Sequence, residues 1–308
     1  MKQKSFYSFL LTGMIMLTTS TLVSCTENLD VASSTVPITI TPEKSDFMGG
    51  AITRGTKVTS ISNFGVSASV YSSASTYTSA GCGSYFFNEL ATAGTPTIHF
   101  WPTSEYKLSF FAYYPYGNAA LTMQSAANAT GAPTYAYTVP SAIASQVDVM
   151  TGQTTNILGG GSSPVNITMK HRCAAVCFSV TNSRSSAITF TSISIEGVKY
   201  SGTLNEETWT LNSAVNSSSS NPFTLAYGGS VAASAIVDVS GLTNIFMMLP
   251  QTIPAGAKVK AVVDGEDFEA ELTGSWEAGK QYNYSINVTN NKIIILDEDS
   301  DIEDWRAS

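Results

Sequence analysis

Charge is scarce in this chain: only 12% of its 308 residues are Asp, Glu, Lys or Arg, and the net charge is −8. No basic run occurs after the first four residues, so there is no electrostatic footprint for nucleic acid, and that class of partner is excluded. Beyond the N-terminus no segment reaches the ~18 continuous apolar residues of a membrane-spanning helix. Histidine is rarer still. His99 and His171 are the only two, both on strand-like segments without a neighbouring acid and nucleophile. The sequence has no phosphate-binding glycine loop, no dinucleotide fingerprint after a strand and no His-Glu-x-x-His. Asp297, Asp299 and Asp301 mimic the start of a calcium loop, but Ile302 stands where its glycine should be and Ser308 where its bidentate Glu should be. A solvated acidic segment is the simpler reading. Nothing here favours an enzyme, and no cofactor or metal is expected.

What the chain does have is β-forming sequence joined by polar turns, which points to an all-β fold. The densest packing information lies in Ile98 to Tyr116, IHFWPTSEYKLSFFAYYPY. From Lys107 the pattern alternates, with Leu108, Phe110, Ala112 and Tyr114 on one face and Lys107, Ser109, Phe111 and Tyr113 on the other. Rings on both faces imply a strand covered on both sides, and Pro102 and Pro115 bracket it. A competing reading makes the stretch a sugar-stacking platform. That requires exposed rings among Trp101, Tyr113, Tyr116 and Trp209.

Residues 1–24 carry a short basic start and an apolar middle, as secretory signals do. The following Leu22-Val23-Ser24-Cys25 resembles a bacterial lipobox, which makes Cys25 a lipid attachment site and residues 25–54 a lipidated N-terminal segment. Within it, Val36 to Thr41 is strand-like. Arg54, followed by Gly55, sits in a small-residue setting open to proteases. Cys82, Cys173 and Cys177 remain. On a strand, Cys173 and Cys177 would be about 13 Å apart, too far for a disulfide, so buried thiols are expected.

Further on, Leu158-Gly-Gly-Gly-Ser-Ser-Pro164 is the most linker-like run, which sets a boundary between a domain at 55–160 and another at 165–290. Asp264-Gly265 between alternating runs predicts a hairpin. Tyr282, Tyr284, Ile286 and Val288 keep strict strand period. Residues 291–308 form a tail in which Ile293, Ile294, Ile295 and Leu296 have high β propensity and are followed by acidic residues, Ile302 and Trp305. Such a strand is expected to lie outside its own domain's core.

Several segments together resemble the fimbrillin family, the subunits of type V pili in Bacteroidetes. They are the lipobox with Cys25, Thr53-Arg54-Gly55, FWPTSEYKLSFFAYYP, MKHRCAAVCFSV, MMLPQTIPAGAKVKAVV, WEAGKQYNYSINV and Ile302-Glu-Asp-Trp305. The resemblance implies two tandem transthyretin-like β-sandwich domains. It also implies an outer-membrane lipoprotein of the cell surface or fimbrium, anchored in outer-membrane lipid through Cys25. An arginine-specific surface protease would cleave it between Arg54 and Gly55. Loss of the strand near Val36 to Thr41 would open a groove, and Ile293 to Leu296, Ile302 and Trp305 of another pilin subunit are candidates to fill it by strand addition. Adhesion would be to glycans or proteins of host or bacterial surfaces. The alternatives are a retained anchor subunit and a glycan-binding surface lipoprotein.

Overall fold

A computed structural model describes residues 33–44, 51–53, 56–58, 61–77, 83–124, 132–161, 164–240, 244–297 and 303–304. Cys25, Arg54, Gly55, Cys82, Ile302 and Trp305 lie outside them. The first strands are β1 (Ser33–Lys44), β2 (Ala51–Thr53), β3 (Thr56–Val58), β4 (Asn63–Ser72), β5 (Gly83–Thr92), β6 (Pro96–Pro102) and β7 (Tyr106–Tyr114). After them come β8 (Leu121–Gln124), β9 (Thr134–Thr138), β10 (Met150–Leu158) and β11 (Val165–His171). Seven of these form one sheet in the order β5-β4-β7-β10-β11-β1-β6.

The expected parity of β7 holds. Leu108, Phe110 and Ala112 enter an apolar core shared with Phe64, Val66, Trp101 and Ile167. Phe111 and Tyr113 on the opposite face are buried as well, and the Tyr113 ring meets Tyr135 of β9 at 5.3 Å. The strand is therefore covered on both sides, and its aromatic content is spent on packing.

The second group is β12 (Ala174–Asn182), β13 (Ile188–Glu196), β14 (Ser201–Asn205), β15 (Thr208–Leu211), β16 (Phe223–Val231), β17 (Ile236–Asp238) and β18 (Phe246–Met248). It continues with β19 (Gln251–Thr252), β20 (Lys258–Val263), β21 (Glu266–Glu271), β22 (Ser275–Trp276), β23 (Lys280–Val288), β24 (Ile293–Asp297) and β25 (Glu303–Asp304). One sheet runs β17-β12-β23-β24 and another β16-β13-β20-β21. Phe178 and Val180 of the first and Phe190, Ile193 and Val259 of the second share one core, the face-to-face packing of a β-sandwich. The Asp264-Gly265 turn forms as read: it joins β20 to β21, and both residues have positive φ, 52° and 83°.

One expectation needs correction. Leu158 to Pro164 does not separate two sheets, because β10 before it and β11 after it belong to the same seven-stranded sheet. The glycines serve the turn between them: the Gly160 N–H donates to the Pro102 carbonyl, and a Cβ on Gly159 would collide with the Thr103 carbonyl. The chain leaves that sheet later, at Lys170, His171 and Arg172, where every side chain is tied down. His171 Nδ1 donates to Asp148 at 2.6 Å, Arg172 Nε donates to Thr151 at 2.6 Å, and both Lys170 and Arg172 pair with Glu207. The two regions also interlock. β8 and β9, from the first part of the chain, share a four-stranded sheet with β14 and β15 of the second through the β9–β14 pairing, and Leu121, Met123, Tyr135 and Tyr137 enter the second core.

Candidate functional site

The site starts from one amphipathic strand. In β1, Ile38 and Ile40 are 0% and 1% exposed and belong to the first core, while Thr39 and Thr41 between and beyond them are half-buried. Burial of each isoleucine stabilises this arrangement by about 1.5–3 kcal/mol. β1 thus fills a slot inside the sheet rather than decorating its edge.

The two walls of the slot hold β1 differently. Its second half runs parallel to β11 in unbroken register, Ile40 opposite Val165 through Lys44 opposite Met169. Its first half is antiparallel to β6 through Ser33–Pro102, Pro37–Phe100 and Thr39–Pro96, with shifts between them. Each of these pairs contains a proline, which has no N–H to give, so the ladder on this side is thin. One further bond, from the Gly94 N–H to the Ile40 carbonyl at 3.0 Å, ties β1 to the turn between β5 and β6.

The tail provides the second half of the site. β24 pairs antiparallel with the outer side of β23, with Ile293 opposite Val288, Ile294 opposite Asn287, Ile295 opposite Ile286 and Leu296 opposite Ser285. Glu303 and Asp304 also pair with β23, at Gln281 and Lys280. Contrary to the expectation of a strand outside its own core, Ile293 is 3% exposed and lies within it. Ile294 and Ile295 are half-buried. Even so, β24 is an edge strand with one ladder, whereas β1 has neighbours on both sides.

The remaining candidate residues do other work. Trp101 and Tyr113 are buried and Trp209 is half-buried, its indole N–H donating to the Arg172 carbonyl at 2.7 Å. Of the four rings a sugar platform needs, only Tyr116 is exposed. Burial pushes the Tyr113 hydroxyl up to about 12, with Tyr116 adding to the effect. Cys173 and Cys177 are free, buried thiols, as their spacing suggested. Burial raises Cys177 to about 12, and burial together with the Asp148 charge raises Cys173 further, so neither forms a thiolate nucleophile at neutral pH. Sequence reasoning missed the acids beside both histidines. Glu89 of β5 meets His99, and Asp148, from the segment before β10, meets His171.

Most of this all-β chain, from the residues after β1 onward, matches a family model. The fimbrillin-like model aligns with residues 49–305, and the chain belongs to that family. It is accordingly a pilus or adhesion subunit of the cell surface, of a kind that assembles with other pilin subunits. No curated protein matches. Among solved structures, a candidate cell adhesion protein from Bacteroides ovatus superposes with a TM-score of 0.61 at 15% identity, covering 90% of this chain and 99% of its own. Another from Bacteroides uniformis gives 0.54 at 16%, covering 84% of this chain and 97% of its own. At these identities the likeness is one of fold.

Proposed function

We propose that the protein is a shaft or tip subunit of a type V pilus, exported as an outer-membrane lipoprotein through acylated Cys25 and activated by cleavage between Arg54 and Gly55. The observation that carries this reading is the position of β1. It precedes Arg54 in the chain and occupies a sheet interior, so losing residues 25–54 leaves two unpaired strand edges and an apolar floor. Such a slot takes up an extended segment by β-augmentation. The segment in this chain suited to fill it is 293–305, because β24 carries adjacent isoleucines and leaves an edge rather than an interior. Slot and donor are different surfaces, so the contact runs head to tail and propagates as a filament.

The partners are then other pilin subunits, membrane lipid before cleavage, and an arginine-specific surface protease. The burial of Trp101 and Tyr113 weighs against a glycan-stacking platform. A photocrosslinker tests the exchange. Thr168, exposed on β11 opposite Glu43, is replaced by p-benzoylphenylalanine, and high-molecular-weight material from the cell surface is irradiated. Capture of residues 291–308 from another subunit is the expected result. Capture of residues 33–44 from the same chain in that material would overturn the reading.

A further inference from the structure

β6 ends the strand order, and among the described residues β1 is the one strand that pairs with it. Its two ends are held by backbone: the Thr95 N–H donates to the Thr92 carbonyl at 3.0 Å in the turn from β5, and the Gly160 N–H donates to the Pro102 carbonyl at 2.5 Å. Its middle is held by β5 through side chains alone. The Phe86 ring stacks on the His99 imidazole at 4.3 Å and 10°, His99 Nε2 donates to Glu89 Oε2 at 2.8 Å, and the Tyr85 hydroxyl donates to the Phe100 carbonyl at 2.5 Å.

This seam is built into the backbone of β5. In a regular strand, residues 86 and 89 point to opposite faces and could not both reach His99. Asn88, at φ 52°, breaks that alternation, and the pairing of β4 with β5 shifts register between Val66 and Ala68. The bulge resets parity, so that Phe86 and Glu89 converge on one histidine.

We infer that Tyr85, Phe86 and Glu89 form a latch on His99 and Phe100 that keeps β6 in place as the second wall of the slot while the slot is empty. This rests on the strand replacement proposed above. With β1 present the latch is nearly redundant. Once β1 leaves, the β6 edge that paired with its first half and the β11 edge that paired with its second half are both left open. Unpaired edges seek partners, so an unsupported β6 moves into the space its half of β1 has left and closes that end of the slot before an incoming strand arrives. The latch pulls β6 the other way, toward β5. His99 and Glu89 are 22% and 39% exposed, so their contact contributes little to overall stability, and its effect is on where β6 sits.

The test uses the full chain after signal removal, with a site-specific protease sequence inserted between Gly49 and Gly50 so that the cut does not depend on Arg54. Nicked protein is challenged with a fluorescent synthetic peptide of residues 33–44, and uptake is followed by anisotropy. The latch variants are His99→Ala, Tyr85→Phe and Glu89→Gln, the last of which keeps its shape if His99→Ala lowers the yield. Lys258→Ala, which removes a comparable ion pair with Glu269 on the other sheet, is the control. Before nicking, all variants melt within about 3 °C of the parent. After nicking, the latch variants bind the peptide roughly ten-fold more weakly than the parent and the control, with His99→Ala the most affected. Parent-like uptake by the latch variants would overturn the latch and leave strand replacement standing. Failure of the nicked parent itself to exchange peptide would overturn both.

Discussion

β1 and β24 are both isoleucine-bearing strands, one before and one after the bulk of the sheets, yet the fold treats them differently. β1 lies between two strands and buries Ile38 and Ile40 completely, whereas β24, among the described residues, lies at an edge with Ile293 buried and Ile294 and Ile295 half-buried. Removing an interior strand leaves two edges and a floor, but removing an edge strand leaves only a new edge. The first loss creates a receptor and the second frees a ligand. That asymmetry gives a chain of subunits its polarity.

The sharpest way to break the comparison is to make β1 unable to occupy its slot. Ile40→Asp would set a carboxylate in an apolar core, and we expect it to destabilise the uncleaved protein by roughly 4 kcal/mol or more in denaturant unfolding. In assembled material from which β1 has gone, the same substitution has no effect. Equal sensitivity before and after assembly would mean that β1 never leaves. Ile38→Ala is the milder version, costing about 2–4 kcal/mol in the uncleaved form alone.

Ile293→Ala tests the other strand. Because an edge strand relaxes more easily around a cavity, the expected cost in the monomer is about 2 kcal/mol, less than for Ile38→Ala. In assembly the order reverses: Ile293→Ala depletes high-molecular-weight material, and Ile38→Ala spares it.

A smaller effect concerns the joint between the two regions. Hydrogen bonds from Arg172 and then Lys170 hold the Glu207 carboxyl below its usual range. A depressed carboxylate adds stability that is present above its unfolded pKa and is lost as pH falls through its folded one. Glu207 is more than half exposed, so solvent screens the pair and the loss is small. Glu207→Gln should flatten the acid side of the stability profile from the ordinary carboxylate range downward, without altering the exchange of β1. A profile identical to the parent's would remove Glu207 from the joint.

Much of the fold was legible in local pattern. The period of Leu108, Phe110 and Ala112, the Asp264-Gly265 turn and the alternation from Tyr282 to Val288 depend on neighbours in sequence, and each forms as read. The glycine run at 158–164 shows the limit. Glycine reports that the chain can turn there, but not whether the strands on either side share a sheet. Tyr135 and Tyr137 of β9 have strand spacing, but its pairing with β14, more than sixty residues away in sequence, is not visible in local pattern. The candidate site was half legible: Val36 to Thr41 reads as a strand, but its place between β11 and β6 is a long-range fact. The acids beside His99 and His171 were invisible for the same reason, because Glu89 comes from another strand and Asp148 from the segment before β10.

The most direct test of the central claim is the intact mass of the protein recovered from the surface of its native cells, separated by size. The account predicts a species beginning at Gly55 in high-molecular-weight material, without residues 25–54. A species still beginning at acylated Cys25 and remaining monomeric would contradict it, since β1 would then be a permanent strand of the sheet.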